Sequence, residues 1–176
     1  MLEVRDDSAA AFEELVSRYQ GRLVTLFRHL LGNHEQAEDL AQEVFLRVYR
    51  ARDSYRPGAK FATWLFTIAS NLCRNRLRYR RYHPVYSPPE EMSGGGDPAV
   101  VVSREDRWAR IRRGLDRLPA AYRAPIVLRY YNDLSYQEIA EVLSLPEGTV
   151  KTRLHRGKAL LKQAIEENGV MQHERG

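Results

Sequence analysis

Lys151, Thr152, His155, Arg156 and Lys162 recur within a stretch, residues 149–164, that contains no acid. At 100° per residue they lie away from Val150, Leu154 and Leu161, which share one side of the same helical pattern. Arginine and lysine pair with guanine edges or phosphates, and threonine and histidine add shorter contacts, so this face suits the major groove of DNA. The ordinary reading of a charge run is a solvated surface, but such surfaces usually mix both signs.

A second constellation lies at Arg74, Arg76, Arg78, Arg80 and Arg81, interleaved with Asn71, Asn75, Tyr79 and Tyr82. Guanidinium groups bind phosphate, while amides and rings meet bases that have left the stack. Tyr55, Phe61 and Trp64 precede it; Phe61 and Trp64 are expected in the core, and Tyr55 in a loop. A third cluster, His34 to Glu43, carries Glu35, Glu38, Asp39 and Glu43. A di-metal bundle would need Glu-x-x-His pairs on two helices, and the sequence has none. Asp39, Gln42 and Glu43 beside apolar neighbours suit the docking of a protein helix instead.

Helices must position all three groups. Phe12, Leu15, Val16, Tyr19, Leu23, Leu26, Phe27, Leu30 and Leu31 recur at helical spacing, and Gly32-Asn33 ends that helix. A second is expected over about residues 34–52, with Ala37, Leu40, Ala41, Val44, Phe45 and Val48 inward, and a third over about 59–82 after Arg56-Pro57-Gly58. Residues 84–103 hold four prolines and three consecutive glycines, which neither helix nor sheet accommodates, and are read as a linker. Beyond it, Ile111, Leu115 and Leu118 mark one helix. Tyr122, Ile126, Val127, Tyr130 and Tyr131 mark another, with Pro125 in its second turn. Ser135 and Glu138 form a capping box that starts the next helix. Ile139, Ala140 and Leu143 give it a buried face before the turn Ser144 to Gly148. That helix, the turn and the acid-free helix together make a helix-turn-helix pattern. No β-alternation of useful length occurs, so the fold class is all-α, two small helical modules on a flexible tether.

The 176 residues and 43% hydrophobic content support a folded core. Net charge is +5 and the pI about 9.5, compatible with a polyanionic partner. Residues 1–83 carry 14 basic and 10 acidic groups, 84–103 none and 3, and 104–176 14 and 10. The N-terminus, Met1 to Asp7, is charged rather than signal-like, and apolar runs are short; membrane insertion is not expected, and a cytoplasmic location is. Cys73 is the single cysteine, which excludes an internal disulfide and a Cys-rich zinc site and predicts a buried thiol on a helix. No metal, cofactor or catalytic residue is expected, and the protein is read as a binding factor rather than an enzyme.

The stretches AEDLAQEVFLRVYRARDSYRPGAKFATWLFTIASNLCRNRLR and LPAAYRAPIVLRYYNDLSYQEIAEVLSLPEGTVKTRLHRGKALL carry a family resemblance. They are similar to regions two and four of the extracytoplasmic-function branch of the sigma-70 family. The region between them in larger sigma factors is replaced by the linker. The resemblance implies a transcription initiation factor that binds core RNA polymerase and promoter DNA and is controlled by an anti-sigma factor. It implies region two at 1–83, docking on polymerase through Asp39, Gln42, Glu43, Phe45 and Arg47. The same region would recognise the minus-10 element through the loop Asp53 to Lys60 and through Asn71, Asn75, Arg76 and Arg78, with an extruded base held near Tyr55 and Asn71. Asn75 stands where many relatives carry an acid, which leaves the minus-10 preference unassigned. Region four, 104–176, would read the minus-35 element through Lys151, Thr152, His155 and Arg156; no added sensory domain is expected after it. A stand-alone helix-turn-helix regulator would use region four alone and leave the Arg-rich helix and acidic face without a role. A helical RNA-binding or scaffold protein would leave the helix-turn-helix unused.

Overall fold

A computed structural model describes residues 1–6, 8–32, 34–56, 58, 60–82 and 104–173, with side chains in the second stretch from 110 to 167. The expected linker lies outside the described residues. Among the described residues, eight α-helices and one 3₁₀ turn account for the regular structure, with no strand.

A short helix, α1 (Leu2–Arg5), precedes α2 (Ala9–Leu31). Ser8 starts α2 by accepting a hydrogen bond from the Ala11 amide at 3.3 Å. Gly32 ends it at φ 79°, a left-handed conformation that suits glycine, while its N–H returns to the Arg28 carbonyl at 3.0 Å. α3 (His34–Arg50) folds back along α2, and the 3₁₀ turn Arg52–Ser54 leads to α4 (Phe61–Tyr82). Leu23, Leu26 and Phe27 of α2, Ala37, Val44 and Val48 of α3, and Leu65, Phe66 and Ala69 of α4 are buried between the three. Completely buried side chains such as Phe27 and Phe66 each contribute about 1.5–3 kcal/mol over exposure. Val4 of α1 is also fully buried, so this first turn, which the periodicity did not mark, belongs to the packed structure.

The second set is α5 (Arg104–Arg117), α6 (Ala120–Tyr130), α7 (Tyr136–Leu143) and α8 (Glu147–His173). Pro125 falls inside α6, as its position required, and is buried. Two glycines let α8 lie close to its neighbours. A Cβ on Gly157 would meet Ile126 Cδ1 at 2.8 Å, and one on Gly114 would meet Leu161 Cδ1 at 2.9 Å.

The two sets are not separate bodies: their buried residues form one continuous apolar cluster. α7 packs on α4, and α6 packs on α2. Polar bonds cross the junction. Arg22 donates to the Asn132 carbonyl, Arg123 Nη1 to the His29 carbonyl at 3.3 Å, and Lys60 pairs with Glu138 at 3.1 Å.

Candidate nucleic-acid interface

The capping box at the start of α7 is complete. The Glu138 amide donates to Ser135 Oγ at 3.2 Å, and the Ser135 amide donates to Glu138 Oε2 at 2.7 Å. Ile139 and Val142 then turn inward, and Ser144 closes the helix in the left-handed region at φ 54°. The chain re-enters helix at Glu147, and Val150 and Leu154 are buried at 0% and 2% exposure. Their burial fixes the rotation of α8. Lys151, Thr152, His155, Arg156 and Lys162 are consequently exposed together.

Within that face, Glu147 holds Lys151 at 2.9 Å and raises its pKa, so the acid that the stretch lacks is supplied from one turn earlier. The Thr152 hydroxyl donates to its own helix at the Gly148 carbonyl, 2.9 Å. Arg156 and Thr152 border a cleft of about 300 Å³ with Tyr122, Gly148, Thr149 and Arg153. Arg153 is half-buried and faces the junction between the two helical sets as well, a role that its position within a uniformly basic run did not reveal.

On α4, Asn71, Asn75, Arg76 and Arg78 are all exposed. Arg74 donates to Asn71 Oδ1 at 3.3 Å and Arg78 to Asn75 Oδ1 at 3.4 Å, long contacts that a base could replace. Tyr55 is half-buried in an aromatic group, 5.3 Å from the Trp64 ring and 6.1 Å from Phe61, with Phe61 in turn 5.3 Å from Tyr19. Phe61 and Trp64 are half-buried in that group rather than deep in the core. Trp64 and Asn71 share one face of α4, seven residues apart and about 10 Å along the axis. Arg80 departs from the expected phosphate cluster. It donates to the Leu31 carbonyl at 3.1 Å and to Gln36 Oε1, tying the end of α4 to the α2–α3 hairpin.

On α3, Asp39, Gln42 and Arg47 are exposed, and Glu43 is half-buried and bonded to Arg47 Nε at 3.0 Å. Phe45 does not share their face. It is 6% exposed and packs edge-on against Phe12 at 6.3 Å, because its place in the inner stripe directs it to the core. Leu46, 56% exposed, stands beside Glu43 and Arg47 instead. Tyr49, 39% exposed one turn on, extends the apolar part of this face, where its alternation with core residues had hidden it.

Cys73 is buried on α4 as expected, and burial pushes its thiol up to about 12. Among the described residues no group of three His, Cys, Asp or Glu side chains could hold a metal ion, and no helix is long and apolar enough to cross a membrane.

A helix-turn-helix with a predominantly basic outer face, packed on a bundle whose helix α4 exposes arginines and amides, is a helical arrangement suited to binding nucleic acid. The sigma-70 region 2 model matches residues 15–82, and the sigma-70 region 4 model matches 108–161. The chain is 36% identical to the ECF RNA polymerase sigma factor SigW of Bacillus subtilis over 93% of each chain. It is 31% identical to the ECF RNA polymerase sigma-E factor of Escherichia coli K12, over 93% of this chain and 91% of that one. CnrH, solved in complex with the cytosolic domain of CnrY, superposes with a TM-score of 0.73 at 25% identity over 94% of each chain. The RpoE sigma factor of Bartonella quintana, solved with the anti-sigma factor NepR, has the same fold, with a TM-score of 0.73 at 24% identity over 89% of this chain and 97% of that one. The chain belongs to the extracytoplasmic-function sigma factors of the sigma-70 family. It is an RNA polymerase sigma factor for promoter-specific initiation.

Proposed function

We propose that residues 1–83 act as region two, binding core polymerase and the minus-10 element, that 84–103 tether it, and that 104–176 act as region four on the minus-35 element. The observation that carries this division is the rotation of α8. With Val150 and Leu154 buried, Lys151, Thr152, His155 and Arg156 are exposed side by side for the minus-35 groove. Asn71, Asn75, Arg76 and Arg78 on α4 then serve the minus-10 strand, with Tyr55 and the aromatic group behind it as a wall for an extruded base. Asp39, Gln42, Glu43 and Arg47, with Leu46 as the apolar centre, form the polymerase-docking face. The protein works as a cytoplasmic binding factor without catalytic residues, and an anti-sigma factor controls it, as NepR is the anti-sigma factor of the structurally similar RpoE.

Strand capture separates this reading from a duplex-binding regulator. Changing Tyr55 and Asn71 together to alanine in the full chain should reduce promoter opening by holoenzyme, read by permanganate reactivity. Binding of a duplex minus-35 element should persist. Normal opening by the double variant would remove the pocket assignment.

A further inference from the structure

A cavity of about 310 Å³ lies among α2, α4, α6, α7 and the first turns of α8. Its wall is largely apolar, with Leu30, Leu77, Pro125 and Leu145 among the lining residues. Polar groups enter mainly from one face of α4, where Ser70, Cys73 and Arg74 fall within about one turn of each other. Cys73 is 3% exposed, and burial pushes its thiol up to about 12, so it brings no negative charge. The Ser70 hydroxyl is a stronger signal. Ser70 is 7% exposed and lines the cavity, and its hydroxyl has no hydrogen-bond partner among the described residues, although leaving a buried hydroxyl unpaired is costly.

Two guanidinium groups face the same space, Arg74 from α4 and Arg153 from α8. Among the described residues no acid lines the cavity and no carboxylate pairs with either arginine; Arg74 has only its long 3.3 Å contact to Asn71 Oδ1. Arg74 and Ala121 are exposed, so the cavity reaches solvent. An apolar wall with convergent polar groups is the lining of a small-molecule site, and the volume stands at the low end of the roughly 300–1,000 Å³ such sites have. The charge selects an anion, to which guanidinium bonds are roughly twice as strong as neutral ones. The size selects against a peptide helix, because a sphere of this volume is about 8 Å across and a helix with side chains is about 10–12 Å. At about 30 Å³ for each water-sized group, the space holds a head group and a chain of about eight to ten carbons.

We propose that this cavity binds a medium-chain carboxylate, its head group held by Arg74 and Arg153 with the Ser70 hydroxyl as a further donor, and its chain against the leucine wall. Occupancy withdraws Arg74 from Asn71 and Arg153 from the cleft that it borders with Arg156, so the ligand acts against promoter binding. That consequence rests on the initiation reading above; the site itself does not.

The test is calorimetric titration of the full chain with decanoate, which should show one saturable site. Acetate, the head without the chain, and decylamine, the chain with reversed charge, should each bind about tenfold more weakly or less. Arg74→Gln with Arg153→Gln should weaken decanoate binding about tenfold or more, with helical content unchanged by circular dichroism. If that variant loses helix, Ala121→Phe, at an exposed position, narrows the cavity while keeping both arginines and should lose binding likewise. No saturable site, several equivalent sites, equal binding of decylamine, or full affinity in the folded variants overturns the proposal. In run-off transcription with core polymerase, saturating decanoate should lower the output of the wild type and spare that of Ala121→Phe. Arginine-dependent binding with unchanged transcription would overturn the action against promoter binding. Absence of transcripts with and without decanoate would instead overturn the initiation reading, with the titration still deciding the site.

Discussion

Glu138 divides its carboxylate between two modules: Oε2 accepts the Ser135 amide at 2.7 Å to cap α7, and Oε1 holds Lys60 of the other module at 3.1 Å. Its burial opposes charge, but the Ser135 hydrogen bonds and the Lys60 ammonium outweigh that and hold the carboxyl below its usual range. A depressed carboxyl contributes stability that is present above its unfolded pKa and lost as pH falls through the folded value. The start of α7 and the junction therefore share one acid.

Ser135→Ala removes the acceptor for the Glu138 amide and should cost about 1 kcal/mol in urea unfolding. Glu138→Gln should cost less, because glutamine also completes a capping box. Equal losses would mean that the cross-module ion pair, rather than the cap, sets the cost at this position.

His29 predicts an acid-sensitive junction. Its pKa is lowered to about 4, first by burial and then by Arg28, Arg112 and Arg123, and its ring faces Tyr131. The folded protein therefore favours neutral imidazole. Its contribution is complete above the unfolded value of 6.5 and declines as pH falls from there toward 4. Thermal unfolding of His29→Gln should lose less stability across that interval than the wild type. Identical slopes would place the acid sensitivity elsewhere.

The proposed docking face and the core separate at two adjacent residues, Phe45 at 6% and Leu46 at 56% exposure. Phe45→Ala should destabilise the bundle by about 3–5 kcal/mol, whereas Leu46→Ala should leave melting nearly unchanged and weaken co-purification with core polymerase. Asp39→Lys with Glu43→Lys should abolish co-purification while helical content is retained. Retained holoenzyme formation by that double variant would move the docking face.

Much of this was legible in local chemistry. Gly32, the Ser135–Glu138 box and the inward stripe of Val150 and Leu154 each act within a turn or two, so spacing alone reveals them. Phe45 was misplaced because neighbours of exposed acids on one helix need not share their face. Arg80 was grouped with phosphate binders because nothing in a run of arginines marks the one whose partners, Leu31 and Gln36, lie more than forty residues away. The junction depends on bonds such as Arg22 to Asn132, across 110 residues, and these leave no periodic trace. The burial of α1 through Val4 was hidden for the same reason, since four residues are too short to show a period.

Arg156→Ala distinguishes two uses of the α8 face. If Arg156 touches phosphate, binding to every minus-35 sequence should weaken equally and the salt slope should fall by about one counterion. If it reads a base edge, the loss should be roughly 1–3 kcal/mol at one base pair, with relaxed preference there. No change in duplex binding would return this surface to simple solvation.

The most direct test of two readers on one promoter is run-off transcription by core polymerase, with and without the protein, from a library randomised across the upstream region. Selected templates should carry two sequence blocks at a fixed separation, and changes on α4 and α8 should each relax one block while sparing the other. Transcripts that do not depend on the protein, or selection of a single block, would contradict it.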